Sequence, residues 1–177
     1  MNTLSYILLC MLVRKPCSGY ELKQYLTLFW ESHHSQIYTA LGKLHEQGYV
    51  TVENDATHKQ KKIYHLTETG KAIVAEWLVE ENKAPSQRDE FLAKVYVIAL
   101  MDHQQATELL QDRLQHYRKM VKKYEQKTEE YDAITDTIEK ERNLGRYLIL
   151  ERRLIMCTAE VEWCVWAQST IDRLNTN

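Results

Sequence analysis

Glycine and proline are scarce in this chain of 177 residues, numbering five and two. So few turn formers, set among charged and Gln-rich segments of helical periodicity, argue for a mostly helical protein rather than one of many short strands. Long apolar runs are missing too. None approaches the roughly 18 to 20 residues that cross a bilayer, and the apolar opening Leu4 to Val13 has no basic segment ahead of it and no small-residue cleavage site behind it. A cytoplasmic protein without a membrane partner is therefore expected. The four cysteines, Cys10, Cys17, Cys157 and Cys164, are too dispersed for a disulfide framework and form no Cys-x-x-Cys pair. Cys157 and Cys164 stand about two helical turns apart and cannot bridge within one helix, so reduced packing thiols are expected.

Motifs of catalysis are equally absent. The chain has no Gly-rich phosphate loop, no nucleophile elbow and no His-Glu-x-x-His. His33 and His34 are adjacent, so their rings would diverge by about 100° on a helix, and no carboxylate or thiol stands beside them at a metal-ligand spacing. No catalytic residue, no metal and no cofactor is expected. Composition, at 44% hydrophobic and 27% charged, is that of a folded protein of one or two domains. Net charge is -2, but it is weakly polarised: residues 1–70 carry seven Lys/Arg against six Asp/Glu, the remainder sixteen against nineteen.

What is present points to a DNA-reading module. In Ser35 to Gly48, the residues Ile37, Leu41 and Leu44 recur at helical spacing and can anchor one face, while Ser35, Gln36, Tyr38, Thr39 and Lys43 point elsewhere. That second face is rich in groups able to meet base edges and phosphates. Gly48 stands where a helix ends on a left-handed residue, and Tyr49 to Val52 then alternates with strand period. A lysine-rich hairpin follows, with Lys59, Lys61 and Lys62 within four residues. Ahead of it, Leu4 to Val13 is a helix candidate, and Ser18-Gly19-Tyr20-Glu21 has the spacing of a capping box for a helix that buries Leu22 and Leu26. Helix, helix, turn, helix and hairpin is the winged helix-turn-helix order.

Beyond the hairpin, Thr67 can cap a helix reaching Glu81, and 82–87, with Ala84-Pro85-Ser86, marks a boundary between a domain over 1–82 and one over 88–177. A short apolar helix is predicted over Phe91 to Met101, and Asp102 caps a long one from about His103 to Arg142. Leu110, Tyr117, Tyr124, Tyr131 and Ile138 repeat every seven residues, with Leu114 and Val121 between. After Gly145 a second repeat joins Tyr147, Leu154 and Val161 to Leu150, Cys157, Cys164 and Ile171. The reading is an antiparallel helical pair that makes a homodimer, with Leu150, Leu154, Cys157, Val161 and Cys164 at the interface. A core seam within one chain is the competing account.

Taken in order, Ser18-Gly19-Tyr20-Glu21-Leu22, Phe29-Trp30, His34-Ser35-Gln36-Ile37-Tyr38, Tyr64-His65-Leu66-Thr67-Glu68-Thr69-Gly70-Lys71 and Trp77-Leu78 resemble the PadR family of bacterial transcriptional regulators. Asp89 to Tyr96 and the Trp163 region resemble the long C-terminal domain of its phenolic-acid-responsive branch. The resemblance implies a mainly α protein: an N-terminal winged helix-turn-helix with a two-stranded wing, and a C-terminal long-helix dimerisation domain. It implies a dimeric repressor that binds a palindromic operator and is released by a small aromatic acid, with no enzymatic activity.

In that likeness Gln36 would pair with adenine, Ser35 and Tyr38 would hold phosphate, Tyr20 and Lys43 would contact the backbone beside Thr39, and Lys59, Lys61 and Lys62 would carry the wing's charge. An aromatic acid needs apolar walls and a cationic anchor. Phe29, Trp30, Trp77, Phe91 and Trp163 are the walls chosen, and His33, Arg88, Lys94 and Arg153 the anchors, with the family's pocket expected between the winged helix and the C-terminal helices. Two other functions stay open. One is a winged-helix regulator of another target, such as a drug exporter, or one controlled without a small-molecule effector. The other is an enzyme acting on small aromatic acids.

Overall fold

The computed structural model describes residues 1–54, 61–82, 84–85 and 89–175. The chain divides into two compact units, Met1–Lys83 and Ala84–Asn177.

In the first unit, α1 (Thr3–Arg14) starts on Asn2, whose side chain accepts the Ser5 N–H at 2.9 Å. A two-residue strand β1 (Cys17–Ser18) leads into α2 (Gly19–Leu26), and α3 spans His34–Glu46. The expected capping box at α2 forms in full: the Glu21 N–H donates to Ser18 Oγ, and the Ser18 N–H donates back to Glu21 Oε2 at 2.9 Å. Leu8, Leu9, Leu22, Leu26, Ile37, Leu41, Leu44 and Val50 form the centre of the core. Burying each such side chain contributes roughly 1.5 to 3 kcal/mol. Gly48 has φ +74°, the left-handed stop its position required, and it releases the chain into the hairpin.

That hairpin, β2 (Val50–Asn54) and β3 (Lys62–Leu66), pairs antiparallel with Val52 opposite Tyr64. β1 adds a third strand on the other edge of β3, giving the order β1-β3-β2. Two residues are too few to leave an alternation, so the sequence pattern carries no sign of it. Thr67 opens α4 (Glu68–Leu78), accepting the Gly70 N–H at 3.0 Å and donating its hydroxyl to the Gly48 carbonyl at 2.8 Å. A Cβ at Gly70 would run into the Tyr49 carbonyl, so this helix can approach the hairpin only through glycine. α4 stops at Leu78 rather than Glu81, having no basic residue in its last turn, and Glu80 and Glu81 would face its negative end.

The second unit is a helical hairpin with a short helix packed on it. α5 (Glu90–Tyr96) is shorter than predicted and gives way to a 3-10 turn at Ile98–Leu100, because the run Val95-Tyr96-Val97-Ile98 propagates a helix poorly. α6 runs His103–Asp132 from its Asp102 cap, and α7 runs Thr137–Asn175. The predicted end at Arg142 and restart after Gly145 are corrected here. The turn falls at 133–136, where Asp136 caps α7 by accepting the Glu139 N–H at 2.7 Å, and Gly145 lies inside α7. Ile138 therefore belongs to α7 and is exposed.

The two heptad repeats meet each other. Leu110, Leu114, Tyr124 and Tyr131 of α6 are buried along with Leu150, Cys157 and Cys164 of α7, and Tyr131 stacks on Tyr147 at 4.0 Å. Leu150, Cys157 and Cys164 are thus buried in the seam within one chain, the competing account of this repeat, and are not exposed for a partner to cover. No helix among the described residues is long and apolar enough to cross a membrane.

Candidate nucleic-acid interface and effector residues

α3 presents the divided surface that its spacing implied. Ile37, Ala40, Leu41 and Leu44 are buried, while Ser35, Gln36, Tyr38, Thr39 and Lys43 are exposed. The exposed residues flank two grooves. On one side Tyr38 and Gly42 of α3 face Tyr20, Glu21 and Gln24 of α2 and Lys61, Lys62 and Tyr64 of the hairpin. On the other, Ser35, Gln36, Thr39 and Lys43 face Asn2 and Thr3 at the start of α1. Every DNA-facing residue expected from the sequence lines one of these grooves except Lys59, which falls outside the described residues.

Tyr20 is 59% exposed and Tyr38 43%. Tyr38 is also seated: its ring stacks on His34 at 5.3 Å and lies so close to Gly19 that a Cβ there would fall 2.8 Å from the ring carbons. Beneath it, burial pushes the Tyr64 phenol pKa up, with Tyr38 adding to the effect. Across the groove the Lys61 ammonium lies 3.8 Å from Glu21 Oε2.

Gln36 is differently employed from the expectation. Its side-chain oxygen accepts the His33 N–H at 3.1 Å and the Ser32 hydroxyl at 3.2 Å, closing the first turn of α3. A bidentate grip on adenine needs that oxygen, so Gln36 can read a base with its amide donor alone unless it gives up the cap.

The aromatic and cationic residues expected around an effector separate by unit. In the first, Trp30 and His33 share a groove with Lys23, Thr27 and Gln36, and Phe29 is exposed. Trp77 is a packing residue: it stacks on Tyr6 at 5.3 Å against the core. In the second unit Phe91 meets Trp163 edge-on at 5.9 Å. The guanidinium of Arg113, which no sequence pattern marked, stands 4.1 Å over the Phe91 ring and donates to Asp89 and Glu160, each at 2.7 Å. Asp89 is also the cap of α5, accepting the Phe91 N–H at 3.0 Å. Burial works against the charge on Arg113, yet the two carboxylates hold it protonated more firmly than an ordinary arginine, and the Arg113 hydrogen bond draws the Asp89 carboxyl below the usual carboxylate range.

Lys94 is ion-paired with Glu90 at 2.9 Å and open to solvent. Arg153 lies 5.9 Å from the Tyr124 ring, with its Nε buried and without a hydrogen-bond partner among the described residues. Arg88 falls outside the described residues. Among the described residues no cluster of His, Cys, Asp and Glu could hold a metal.

Outside the seam, α7 carries a second apolar stripe. Leu144, Leu148, Ile155, Ala159 and Trp166 follow one another at steps of four and seven, opposite the Leu150, Cys157 and Cys164 face. Ile155 is 65% exposed and Trp166 59%. This stripe is visible in the sequence as a repeat parallel to that of Leu150, Cys157 and Cys164.

Comparison with known proteins follows the same division. Residues 8–76 match the model of the Transcriptional regulator PadR-like family, and residues 87–172 match Virulence activator alpha C-term. The chain is 31% identical to the Negative transcriptional regulator PadR of Bacillus subtilis (strain 168), over 98% of this chain and 100% of that protein. The structure of Bacillus subtilis PadR in complex with operator DNA superposes with a TM-score of 0.79 at 29% identity, covering 96% of this chain and 99% of the other. For Bacillus subtilis PadR in complex with p-coumaric acid the TM-score is 0.75 at 30% identity, with 97% and 99% covered. Both halves of the sequence and nearly its whole length are accounted for by one kind of protein, and the chain belongs to the PadR-like family of transcriptional regulators.

Proposed function

We propose that this chain is a cytoplasmic, homodimeric repressor that binds a palindromic operator through its winged unit and is released by a hydroxycinnamic acid such as p-coumarate. The observation that carries the DNA-binding half is the groove in which Tyr20 of α2, Tyr38 of α3 and Lys61 and Lys62 of the hairpin converge. Hydroxyls and ammonium groups brought to one concave surface can follow a phosphate backbone, while the exposed face of α3 enters the major groove. Residues 1–82 are the DNA-binding part of this reading and 88–177 the dimerisation and effector part.

For dimerisation, the outward stripe of α7 replaces the inner seam as the interface. Leu154 and Val161, partly buried beside the seam, sit at its margin. For the effector, support comes from the relative whose structure holds p-coumaric acid and from the aromatic and cationic groups Phe91, Trp163, Lys94 and Arg153 in the second unit. The ligand must bind the DNA-incompetent state more tightly, and a 100-fold preference amounts to about 2.7 kcal/mol per site. A mobility-shift titration with millimolar p-coumarate is expected to free the operator; an intact complex would remove the effector claim and leave the repressor claim standing.

The seat of Tyr38 gives a sharper test of the DNA surface. Gly19→Ala is expected to push the Tyr38 ring out of its position and weaken operator binding by roughly tenfold, about 1.4 kcal/mol, within the usual range for one interface contact. Replacing Tyr38 as well, in Gly19→Ala/Tyr38→Ala, should add nothing beyond Tyr38→Ala alone. Fluorescence anisotropy with the operator checks both, and additive losses would show that Gly19 acts by another route.

A further inference from the structure

The most unexpected group in the proposed DNA groove is an acid. Glu21 lines it together with Tyr20, Tyr38, Lys61 and Lys62, where a phosphate backbone would repel it. Its capping duty does not require a charge, since Gln serves at this position of a capping box as well as Glu. One oxygen, Oε2, accepts both the Ser18 N–H at 2.9 Å and the Ser18 hydroxyl at 2.6 Å, and the same oxygen faces Lys61 Nζ at 3.8 Å. Hydrogen bonds from Ser18, with Lys61 assisting, hold the Glu21 carboxyl below its ordinary pKa, so it stays ionised at neutral pH. The pair is not sealed in: the side chains of Lys61 and Glu21 are 43% and 31% exposed, within reach of an incoming phosphate. Among the described residues Lys62 has no carboxylate partner of this kind.

We propose that Glu21 is an internal stand-in for a DNA phosphate, holding Lys61 of the wing by charge so that the DNA backbone must displace it in order to bind. The proposal rests on the reading of the winged unit as the DNA-binding surface. Glu21 is then a positioning residue. It fixes where Lys61 waits in the free protein and lowers affinity for every DNA sequence alike, because the interaction it opposes is with phosphate and not with bases. A repressor that must leave non-specific DNA to find its operator gains from such a brake.

The test uses the full-length protein, with anisotropy titrations on a random-sequence duplex and on the operator over a range of salt concentrations. Glu21→Gln keeps the cap and removes the charge. It is expected to tighten both duplexes equally, by about fivefold per winged unit, the size of one exposed charge pair at about 4 Å. The dependence of log K on log salt should steepen by roughly one unit per winged unit, as for one more phosphate contact. In a Lys61→Gln background the same change should lose most of its effect. A Glu21 that only caps the helix predicts no change in binding or in salt dependence, since Gln keeps the cap.

Unchanged or weakened binding in a Glu21→Gln protein of normal helicity would overturn the proposal, and so would a gain of equal size in the Lys61→Gln background. Should Glu21→Gln fail to fold, the comparison of Lys61→Gln with Lys62→Gln decides. Because Lys61 must first be freed from Glu21, its net contribution to binding is the smaller, so loss of Lys61 should cost less affinity than loss of Lys62, and an equal or greater loss would contradict the proposal. If the unmodified protein bound neither duplex, the DNA-binding reading would fall and take the proposal with it; binding without coupling between Glu21 and Lys61 would remove the proposal alone.

Discussion

Ile155→Glu should convert the protein to a monomer and reduce operator affinity by about 100-fold or more. Ile155 sits in the middle of the outward stripe of α7, between Leu148 and Trp166, and makes no part of the seam that holds α6 to α7. A charge there leaves the hairpin intact but places a carboxylate in the interface of a second copy, where an unpaired desolvated charge is costly. Each winged unit would then hold one half-site without the gain of a linked second contact, a gain commonly worth 10² to 10⁴ in affinity. Light scattering with circular dichroism checks the first part: monomer mass with unchanged helicity. The same substitution at Cys157, buried against α6, should instead unfold the hairpin. A dimer that survived Ile155→Glu would return the interface to another surface.

The second large effect is expected at Arg113. Only 14% of its side chain is exposed, and it ties the cap of α5 to both long helices through Asp89 and Glu160. Arg113→Met preserves much of the packing on Phe91 but leaves two half-covered carboxylates without their cation. Fully buried pairs cost about 3 to 5 kcal/mol when broken and exposed ones about 0 to 1, so a loss near 2 kcal/mol is expected here. Calorimetry should register it as a fall in melting temperature of roughly 4 to 8 °C.

The pH dependence follows from Asp89. Its folded pKa is lowered, chiefly by the Arg113 hydrogen bond, so its contribution is complete above the ordinary carboxylate range and disappears as pH falls below that range towards the depressed value. Wild-type protein should therefore lose more stability between neutral pH and about pH 3 than Arg113→Met does. Parallel curves for the two proteins would mean that Arg113 does not hold Asp89 ionised.

The winged unit was legible because its signals are local. A capping box at Ser18 and Glu21, a glycine stop at Gly48 and a cap at Thr67 each fix one boundary within a few residues, and the 3.6-residue period separates the buried and exposed faces of α3. The helical hairpin was legible in kind but not in its turn. Tyr131 and Ile138 are seven residues apart, so the repeat continues in number across a place where the chain has already reversed. The Asp136 cap was the signal that outranked it.

Two apolar stripes run along α7, and periodicity counts both without saying which meets α6 and which faces outward. Periodicity therefore places Leu150, Cys157 and Cys164 at a partner interface as readily as in a seam within the chain. The Arg113 cluster had no local trace at all, since its carboxylates lie 24 and 47 residues away along the chain. For Gln36, residue type and exposure both suited base reading, and only the backbone geometry of the first turn of α3 reveals that its oxygen already has donors.

The most direct test of a dimeric, operator-reading protein is selection of bound duplexes from a random pool by the full-length chain. A palindrome should be enriched whose half-sites lie about one helical turn apart, roughly 10 base pairs centre to centre, or a multiple of it. Enrichment of a single unrepeated site, or of no sequence at all, would contradict the account.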